Sequence, residues 1–326
     1  MPETGDRKNV LVWHVHGAWS ESFVAGRHRY LLPVTPAGGA EGRGLAGRVW
    51  PNAREISAAD LCRQDIDVVV LQRPEELDLA ARWTRRRPGV DVPAVFVEHN
   101  APRPHAELSA HPLGERSDII LVHVTDFNRL MWDSGAAPTR VINHGIADPG
   151  PLYTGCIPAA ATMINEPVRR GRTVGTDLLT PLSAHAPIDV WGIGSTELTT
   201  ETATGDSRIT GRGDVAAPLL WVEVANRRVY LHTARWTSLG LSLIEAMFLG
   251  MPVVAVAATM APLVIPGEAG VVSADLTTLG HALEAFVTDH SAAVAAGKAA
   301  REYAIAHFGL DRFLHEWDEL IEDLCA

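Results

Sequence analysis

The chain has 326 residues, of which 47% are hydrophobic and 21% are charged, and its formal net charge is −11. This length and composition allow two globular domains, and the acidic balance excludes a broad cationic surface for a nucleic acid backbone. The three cysteines (Cys62, Cys156 and Cys325) lie far apart and form neither a C-x-x-C pair nor a disulfide framework, which favours a reducing cytoplasm.

The polar start of the chain and its longest apolar stretch predict a protein without a transmembrane segment. Residues 1–9 lead directly into an apolar run, so no signal peptide is expected. Residues 246–265 are apolar enough to raise the question of a membrane span, but Gly250, Pro252 and Pro262 interrupt them. We predict a helix, a turn and a buried strand there, and a cytoplasmic location.

Short apolar, β-branched runs alternate with helical stretches along the whole chain. The predicted strands are 10–15, 68–71, 94–97, 119–124 and 139–142, then 160–164, 188–191, 229–232 and 252–256. This alternation is typical of parallel sheets, and its recurrence predicts two α/β domains. The Pro- and Gly-rich residues 148–155 mark a linker. We therefore predict domains over 1–150 and 151–309, followed by a C-terminal helix over 310–326 that could pack back on the first domain.

Ligands of open α/β sheets bind beyond the carboxyl ends of the strands, so the residues that follow each predicted strand are candidates. Gly17 would let the backbone approach a ligand closely. His14 and His16 are predicted on one face of a strand, as core or cleft-edge histidines, because no third zinc ligand is evident. Asp65-Ile-Asp67 precedes a predicted strand, which indicates a strand-start loop and not a D-x-D metal site.

Residues 229–255 predict a strand, a glycine-containing loop, a helix and a second strand. The N–H groups at the start of this helix, near Ser238, Leu239 and Gly240, are suited to bind a diphosphate. Glu245 lies in an otherwise apolar helix, where its carboxylate could accept hydrogen bonds from the vicinal hydroxyls of a ribose. The spacing from Ser242 to Glu245 also matches a capping box, which leaves a purely structural role open.

This stretch resembles the donor-site signature of a large family of retaining GT-B glycosyltransferases, which includes sucrose, mannose and N-acetylglucosamine transferases. The matches to its Glu-x-Phe-Gly, Glu-Ala-Met and Gly-x-Pro-Val-Val pattern are Gly240, Glu245, Ala246, Met247, Gly250, Pro252, Val253 and Val254, and the similarity continues through 266–272. The resemblance implies a GT-B fold, with two Rossmann-like domains whose parallel sheets face each other across a cleft. The first would be the acceptor-side domain, and the second would bind a nucleotide-sugar donor.

Two positions depart from the family pattern. Thr237 stands where the family has its first glutamate, and Val174 stands in the slot of a lysine after the first strand of the second domain. Arg170 is retained, and its neighbours Arg169 and Arg172 could supply the missing positive charge to a diphosphate. The alternative is a solvated cluster of arginines without a ligand.

The resemblance also implies roles for residues in the first domain. His99, within Glu98-His99-Asn100, would contact the donor sugar at the reaction centre, with loop capping as the alternative. Asn143-His144-Gly145 would close the first domain in a structural role. Residues 26–30 would lie on the acceptor side, unless they are only the polar face of a helix.

The resemblance implies transfer of a sugar from a nucleoside diphosphate sugar with retention of configuration, and without a metal or other cofactor. His99 and Arg170 are the expected catalytic residues. The expected donor-binding residues are Gly17, Arg169, Arg172, Gly194, Thr237, Ser238, Leu239, Gly240 and Glu245. The acceptor, which could be a small molecule, a glycan or a lipid-linked molecule, is not specified. The alternative, which Thr237 and Val174 favour, is a degenerate GT-B domain that binds nucleotide or glycan without turnover.

Overall fold

The protein is described by a computed structural model that covers residues 7–103, 106–198 and 208–326. Contacts divide it into two compact units. The first comprises the residues up to Gly145 together with Leu310–Ala326, and the second comprises Ile146–Gly309.

The first unit is built on a parallel sheet, whose seven strands within the described residues have the order β3-β2-β1-β4-β5-β6-β7. These strands are β1 (Asn9–Val12), β2 (Arg29–Val34), β3 (Ala53–Ser57), β4 (Val68–Leu71), β5 (Ala94–Glu98), β6 (Ile120–His123) and β7 (Thr139–Val141). The chain builds outward from β1 to β3 and then returns to place β4 on the other side of β1. The strand order therefore reverses direction between β1 and β4.

Helices cover both faces of this sheet. Their bounds are Gly17–Val24, Glu76–Thr84, Asp126–Met131 and Leu310–Leu324, with a 3-10 helix at Ala58–Arg63. Residues of β1 alternate between two hydrophobic clusters: Val10 and Val12 belong to one, and Leu11 and Trp13 belong to the other. The C-terminal helix adds Phe313, Trp317, Leu320 and Ile321 to the cluster that contains Val10. One face of the sheet thus depends on the last residues of the chain.

The second unit repeats the same plan. Within the described residues its six parallel strands have the order β10-β9-β8-β11-β12-β13. They are β8 (Ile157–Met163), β9 (Ile188–Trp191), β10 (Ile209–Gly213), β11 (Arg227–His232), β12 (Val253–Val256) and β13 (Gly270–Ser273). The helices are Pro167–Arg170, Leu179–Ser183, Ala217–Ala225, Leu241–Leu249, Ala261–Val264, Leu276–Thr288 and His290–Phe308, with 3-10 turns at Gly171–Thr173 and Thr176–Leu178. Here the strand order reverses between β8 and β11.

The nine predicted strands are present, with ends shifted by up to three residues, but four further strands were not predicted. Three of these, β3, β10 and β13, are edge or half-buried strands with few fully buried residues, so they lack the continuous apolar run of a central strand. The fourth, β2, begins at Arg29 and contains Pro33. Because Arg29 and Tyr30 start this strand, the interpretation of residues 26–30 as a helix face is wrong.

The apolar stretch 246–265 folds as predicted, into the end of a helix, a turn and a buried strand. Gly250 ends the helix Leu241–Leu249 with φ 91°, a left-handed conformation that favours glycine. Strand β12 follows, and three of its four residues are buried. In the described parts of the chain, no helix is long and apolar enough to cross a membrane.

Trp317 offers a test of how much the C-terminal helix stabilises the first unit. It is 2% exposed, and its ring packs 4.9 Å from Phe23 and 5.9 Å from Trp19, measured between centroids. We expect Trp317→Ala to lower the free energy of unfolding by about 3 to 5 kcal/mol, because a large side chain leaves a cavity. Urea denaturation followed by circular dichroism measures this change.

The matched control is His315→Ala on the same helix, where the side chain is 74% exposed and pairs with Glu319. We expect it to change the free energy of unfolding by less than about 0.5 kcal/mol. Equal stability of the Trp317 variant and the control would contradict a core role for this helix.

Candidate functional site

In the first unit, polar side chains meet at the carboxyl edge of the sheet, next to the reversal between β1 and β4. Such a reversal is where open α/β sheets bind ligands. His16 follows β1, Gln72 directly follows β4, and His99 directly follows β5. The imidazole of His99 lies 4.2 Å from that of His16 and 6.5 Å from that of His144, measured between ring centroids. We call His16, His99 and His144 the histidine cluster.

Burial keeps the histidine cluster neutral. Desolvation, followed by the neighbouring imidazoles of His16 and His144, holds the pKa of His99 well below its usual value of 6.5. Burial also lowers the pKa of His144 to about 4 and lowers that of His16. At neutral pH each ring therefore has one hydrogen-bond donor and one acceptor.

His99 is held by a side chain and not by the loop backbone. Its Nε2 lies 3.0 Å from Oε1 of Gln72, and the edge of its ring packs against Trp19 with 5.1 Å between centroids. The neighbouring Glu98 closes the loop instead, because its carboxylate accepts a hydrogen bond from the Asn100 backbone at 2.7 Å. The contacts of His99 thus differ from those of a loop-capping residue, whereas Glu98 and Asn100 fit that role.

The prediction that His14 and His16 lie on one face of a strand is wrong. Strand β1 ends at Val12, so both histidines lie in the loop that leads to the helix Gly17–Val24. His14 Nδ1 lies 3.1 Å from the carbonyl oxygen of Gly44, and its ring packs against Trp50 at 4.8 Å between centroids. This places His14 in a structural contact and His16 in the histidine cluster.

The surroundings of Gly17, Gly145 and Asp67 constrain these residues to different degrees. Gly17 is the first residue of its helix, and an added Cβ would meet Arg48 at 3.6 Å, an ordinary contact. At Gly145, by contrast, an added Cβ would lie within 2.2 Å of Phe313, so this glycine lets the C-terminal helix approach. Asp67 accepts a hydrogen bond from the Asn9 backbone at 2.7 Å and so joins β4 to β1.

In the second unit, the loops that follow β8 and β11 are bound to each other. The Thr233 hydroxyl donates to the carbonyl oxygen of Val174 at 2.7 Å, and the Arg235 N–H donates to that of Thr173 at 2.9 Å. At Gly175, which has φ 76°, an added Cβ would lie 2.1 Å from the carbonyl oxygen of Thr233. Only glycine allows this approach, which brings the arginine loop and the loop that contains Thr237 together.

The second loop ends at the N-terminus of the helix Leu241–Leu249. Gly240 is the N-cap residue, and no side chain caps the helix there. Ser238 and Leu239 are buried, and the hydroxyl oxygen of Thr237 is buried without a hydrogen-bond partner. The imidazole of His232 packs beside this point, 3.2 Å from the Cβ position of Gly240. A helix N-terminus whose first N–H groups lack side-chain acceptors is suited to bind an anion.

Glu245 is not part of a capping box. Because the helix begins at Leu241, Ser242 is its second residue and Glu245 its fifth, and the Ser242 hydroxyl accepts a hydrogen bond from Tyr230 at 3.0 Å. Burial raises the pKa of Glu245 to about 7. Within the described residues, its carboxylate makes no hydrogen bond or ion pair. The capping-box contact is therefore absent for Glu245, and its half-buried carboxyl group stays available to a ligand.

The three predicted arginines follow β8 but differ in their contacts. Arg169 pairs with Glu166 and is 69% exposed, whereas Arg172 pairs with Asp177 at 2.8 Å and is 78% exposed. Arg170 Nη1 lies 3.5 Å from the carbonyl oxygen of Asn165. Arg169 and Arg172 are thus surface ion pairs in this structure, in the manner of a solvated cluster, and each would have to exchange a carboxylate for a phosphate.

Val174, in the lysine slot of the family, and Gly194, an expected donor-binding residue, have different surroundings. Val174, in the lysine slot, is 4% exposed and belongs to the hydrophobic core of the second unit. Gly194 has φ 74°, and an added Cβ would meet Glu197 at 3.5 Å. Its neighbour Gly192 is under a stricter constraint, because an added Cβ would lie 2.4 Å from the carbonyl oxygen of Ile164. Gly192 therefore has the clearer structural reason to be glycine.

Three residues at these sites were not predicted: Gln72, His232 and Arg235. Arg235 forms a bidentate ion pair with Asp177, at 2.6 and 2.9 Å, and so places a cation beside the arginine loop. His232 ends β11 and is 8% exposed, and burial lowers its pKa to about 4. All three lie within three residues of a strand end, which is the signal that could have found them.

In the described part of the chain, no group of three His, Cys, Asp or Glu residues is placed to hold a metal ion.

Comparisons with known proteins agree with this architecture. Residues 178–289 match the family model described as Glycosyl transferases group 1. A search of the curated proteins found no match.

Solved structures give matches over a longer part of the chain. HepE from Anabaena, solved in complex with UDP and glucose, is 16% identical with a TM-score of 0.72, over 97% of this chain and 100% of that one. Sucrose-phosphate synthase from Thermosynechococcus elongatus is 14% identical with a TM-score of 0.73, over 98% and 99%. TarM from S. aureus, solved with UDP among its ligands, is 14% identical with a TM-score of 0.64. That match covers 78% of this chain, which spans about half of the TarM chain, 55%.

These matches confirm the predicted resemblance and fold class. The repeated strand order, with its reversal beside the first strand of each sheet, and the motif around Glu245 agree with both comparisons. The chain has the GT-B fold, and residues 178–289 of its second unit match the Glycosyl transferases group 1 model.

Proposed function

We propose that this chain transfers a sugar from a nucleoside diphosphate sugar to an acceptor hydroxyl, with retention of the anomeric configuration. No metal ion or further cofactor takes part in the proposed reaction. UDP is the first nucleotide to test, because the HepE and TarM structures were solved with UDP. The acceptor is a small molecule, a glycan or a lipid-linked molecule, and the site of action is the cytoplasm.

The observation that carries this proposal is the carboxyl group of Glu245. The Glu245 side chain is half-buried and has no hydrogen-bond partner within the described residues, and desolvation raises its pKa to about 7. Two vicinal ribose hydroxyls would supply the hydrogen bonds that this group lacks. The donor nucleotide therefore binds with its ribose at Glu245.

Charge on the leaving diphosphate is stabilised by the adjacent helix and arginine loop. The first N–H groups of the helix Leu241–Leu249 carry the positive end of its dipole. The Thr237 hydroxyl, buried without a partner, offers a further donor, and Arg170 supplies a formal charge. Stabilisation of a leaving group by oriented donors is a large part of catalysis in many enzymes. His99 acts on the sugar through a neutral hydrogen bond and not as a nucleophile.

A second candidate is a protein that binds a nucleotide or glycan without turnover. The observation in its favour is Val174, whose side chain is buried in the core, so the family's lysine position cannot supply a cation. Saturable binding of UDP together with no transfer from any donor would support this candidate.

A panel of nucleotide-sugars distinguishes the two candidates. We expect ligand-detected NMR to show binding of UDP and of one or more UDP-sugars in the presence of a chelator. We also expect product formation with a panel of acceptors, followed by mass spectrometry, to continue after chelation. Activity that disappears in the chelator and returns with magnesium or manganese would contradict the metal-independent mechanism.

Glu245→Gln separates nucleotide binding from stability. We expect this variant to bind UDP about tenfold more weakly or worse, because a neutral amide replaces the ribose acceptor. Above pH 7 the same variant should have a free energy of unfolding equal to that of the wild type or higher by roughly 1 to 2 kcal/mol, since it removes a half-buried charge. Its melting temperature should therefore be equal or higher. Calorimetry gives the affinity, and thermal melting gives the stability.

The pH dependence follows from the direction of the pKa shift. The folded-state pKa of Glu245, about 7, lies above its ordinary value of 4.5. Its contribution to stability is therefore complete below pH 4.5 and is lost as the pH rises through about 7. The stability difference between Glu245→Gln and the wild type should thus vanish at about pH 4.5. Exposed Glu268, replaced by Gln, is the control and should change neither affinity nor melting. A less stable Glu245→Gln variant with unchanged UDP affinity would restore a structural role.

Arg170→Ala tests the phosphate contact. We expect it to weaken UDP binding by about tenfold to a hundredfold and to leave uridine binding nearly unchanged, because its partner would be a phosphate oxygen. Lys298→Ala, at a side chain that is 79% exposed on another helix of the second unit, is the control for loss of one positive charge. Equal weakening of UDP and uridine would indicate that Arg170 supports the fold of the loop.

A further inference from the structure

We propose that Gln72 is a positioning residue that fixes the tautomer of His99, so that Nδ1 of His99 is an unprotonated hydrogen-bond acceptor for a hydroxyl of the donor sugar. The hydroxyl contact rests on the proposed function. The tautomer itself rests on the hydrogen bonds that join Trp13, Gln72 and His99.

The orientation of the Gln72 amide follows from its contact with Trp13. Nε2 of Gln72 donates to the carbonyl oxygen of Trp13 at 2.7 Å, in a buried hydrogen bond. A backbone carbonyl oxygen can only accept, so the NH₂ group must face Trp13. The oxygen Oε1 of Gln72 therefore faces His99, at 3.0 Å from its Nε2.

This orientation determines which nitrogen of His99 carries the proton. Oε1 of an amide has lone pairs and no hydrogen, so Nε2 of His99 must be the donor. Since burial and the neighbouring imidazoles keep the ring neutral, Nδ1 then holds a lone pair. Nδ1 makes no hydrogen bond within the described residues, and the His99 side chain is half-buried, so Nδ1 is open to a ligand. A surface-accessible lone pair is the feature that a sugar hydroxyl requires.

Gln72 is itself held in place by a buried carboxylate. Gln72 is 5% exposed, and its backbone N–H donates to Oε2 of Glu76 at 2.7 Å. Glu76 is fully buried and also accepts from Nε of Arg73 at 2.7 Å. The position of Gln72 is thus set by contacts that do not involve His99. This independence is what allows one amide to impose a tautomer on the imidazole, as other orienting partners of catalytic histidines do.

Nitrogen NMR of the imidazole tests the tautomer without any activity measurement. Protonated and unprotonated ring nitrogens have well-separated ¹⁵N shifts, and His99 is assigned by comparison with His99→Gln. In the full-length wild type we expect His99 to show a protonated Nε2 and an unprotonated Nδ1 at pH 7. In Gln72→Met, which keeps the side-chain length but removes the acceptor, we expect averaged shifts from a mixture of tautomers. A protonated Nδ1 in the wild type, or an unchanged pattern in the variant, would overturn the proposal.

Kinetics test the consequence for transfer. We expect Gln72→Met to lower kcat by about tenfold or more while UDP affinity and KM for the donor change less than twofold. The matched control is Gln64→Met in the same unit, where the glutamine accepts from Arg54 near the surface. It should retain wild-type kcat and melting temperature. A Gln72→Met variant with wild-type kcat would overturn the role of Gln72 in transfer and leave the proposed function intact.

Failure of the proposed function can be distinguished from failure of the tautomer assignment. If the wild type binds no nucleotide and transfers no sugar, the proposed function and the hydroxyl contact fail together. The ¹⁵N pattern would still decide whether Gln72 sets the tautomer of His99.

Discussion

The arrangement of both candidate sites depends on one constraint: in each parallel sheet, the strand order reverses beside the first strand of that sheet. Loops that leave the two strands at the reversal run in opposite directions, which leaves polar groups uncovered at the carboxyl edge. In the first unit this edge holds Gln72 and the histidine cluster. In the second unit it holds the arginine loop and the loop that leads to Gly240. The same topology thus places different polar side chains at the carboxyl edge of each sheet.

Burial gives these edges a shared electrostatic character. Desolvation raises the pKa of Glu245 and lowers those of His99, His144 and His232, so each shift favours the uncharged form. The charged groups nearby are arginines paired with carboxylates at the surface. Neutral groups of this kind interact through the geometry of their hydrogen bonds and not through formal charge.

The departures from the family pattern follow from packing around the arginine loop. Val174 is buried in the core, where a lysine ammonium group would lose its hydration. Arg235 lies in the neighbouring loop, bound to Asp177 and to the carbonyl oxygen of Arg172. Its guanidinium group therefore occupies the region next to the lysine position. A positive charge is retained near this loop, although it comes from a different strand end.

The fold class and the motif around Glu245 were determined by the sequence itself. Central parallel strands are buried on both faces, so their apolar runs can be recognised, and the nine predicted strands are all present. The edge strands β3, β10 and β13 were missed because a strand that is only partly covered needs no such run. Glycines also leave a trace in the sequence, because the left-handed conformation at Gly250 favours glycine and the close approach of Thr233 at Gly175 allows no other residue.

Only the tertiary structure decided which side chains share an environment. Gln72 and His99 are 27 positions apart, and their contact depends on the pairing of β4 with β5. Spacing alone could not exclude a capping box at Glu245, because a capping box and a ligand contact use the same residue types. The start of the helix at Leu241 excludes it. Spacing along the chain encodes local structure, whereas burial and hydrogen-bond partners depend on long-range packing. Those long-range contacts set the protonation of Glu245 and His99, on which the proposed chemistry depends.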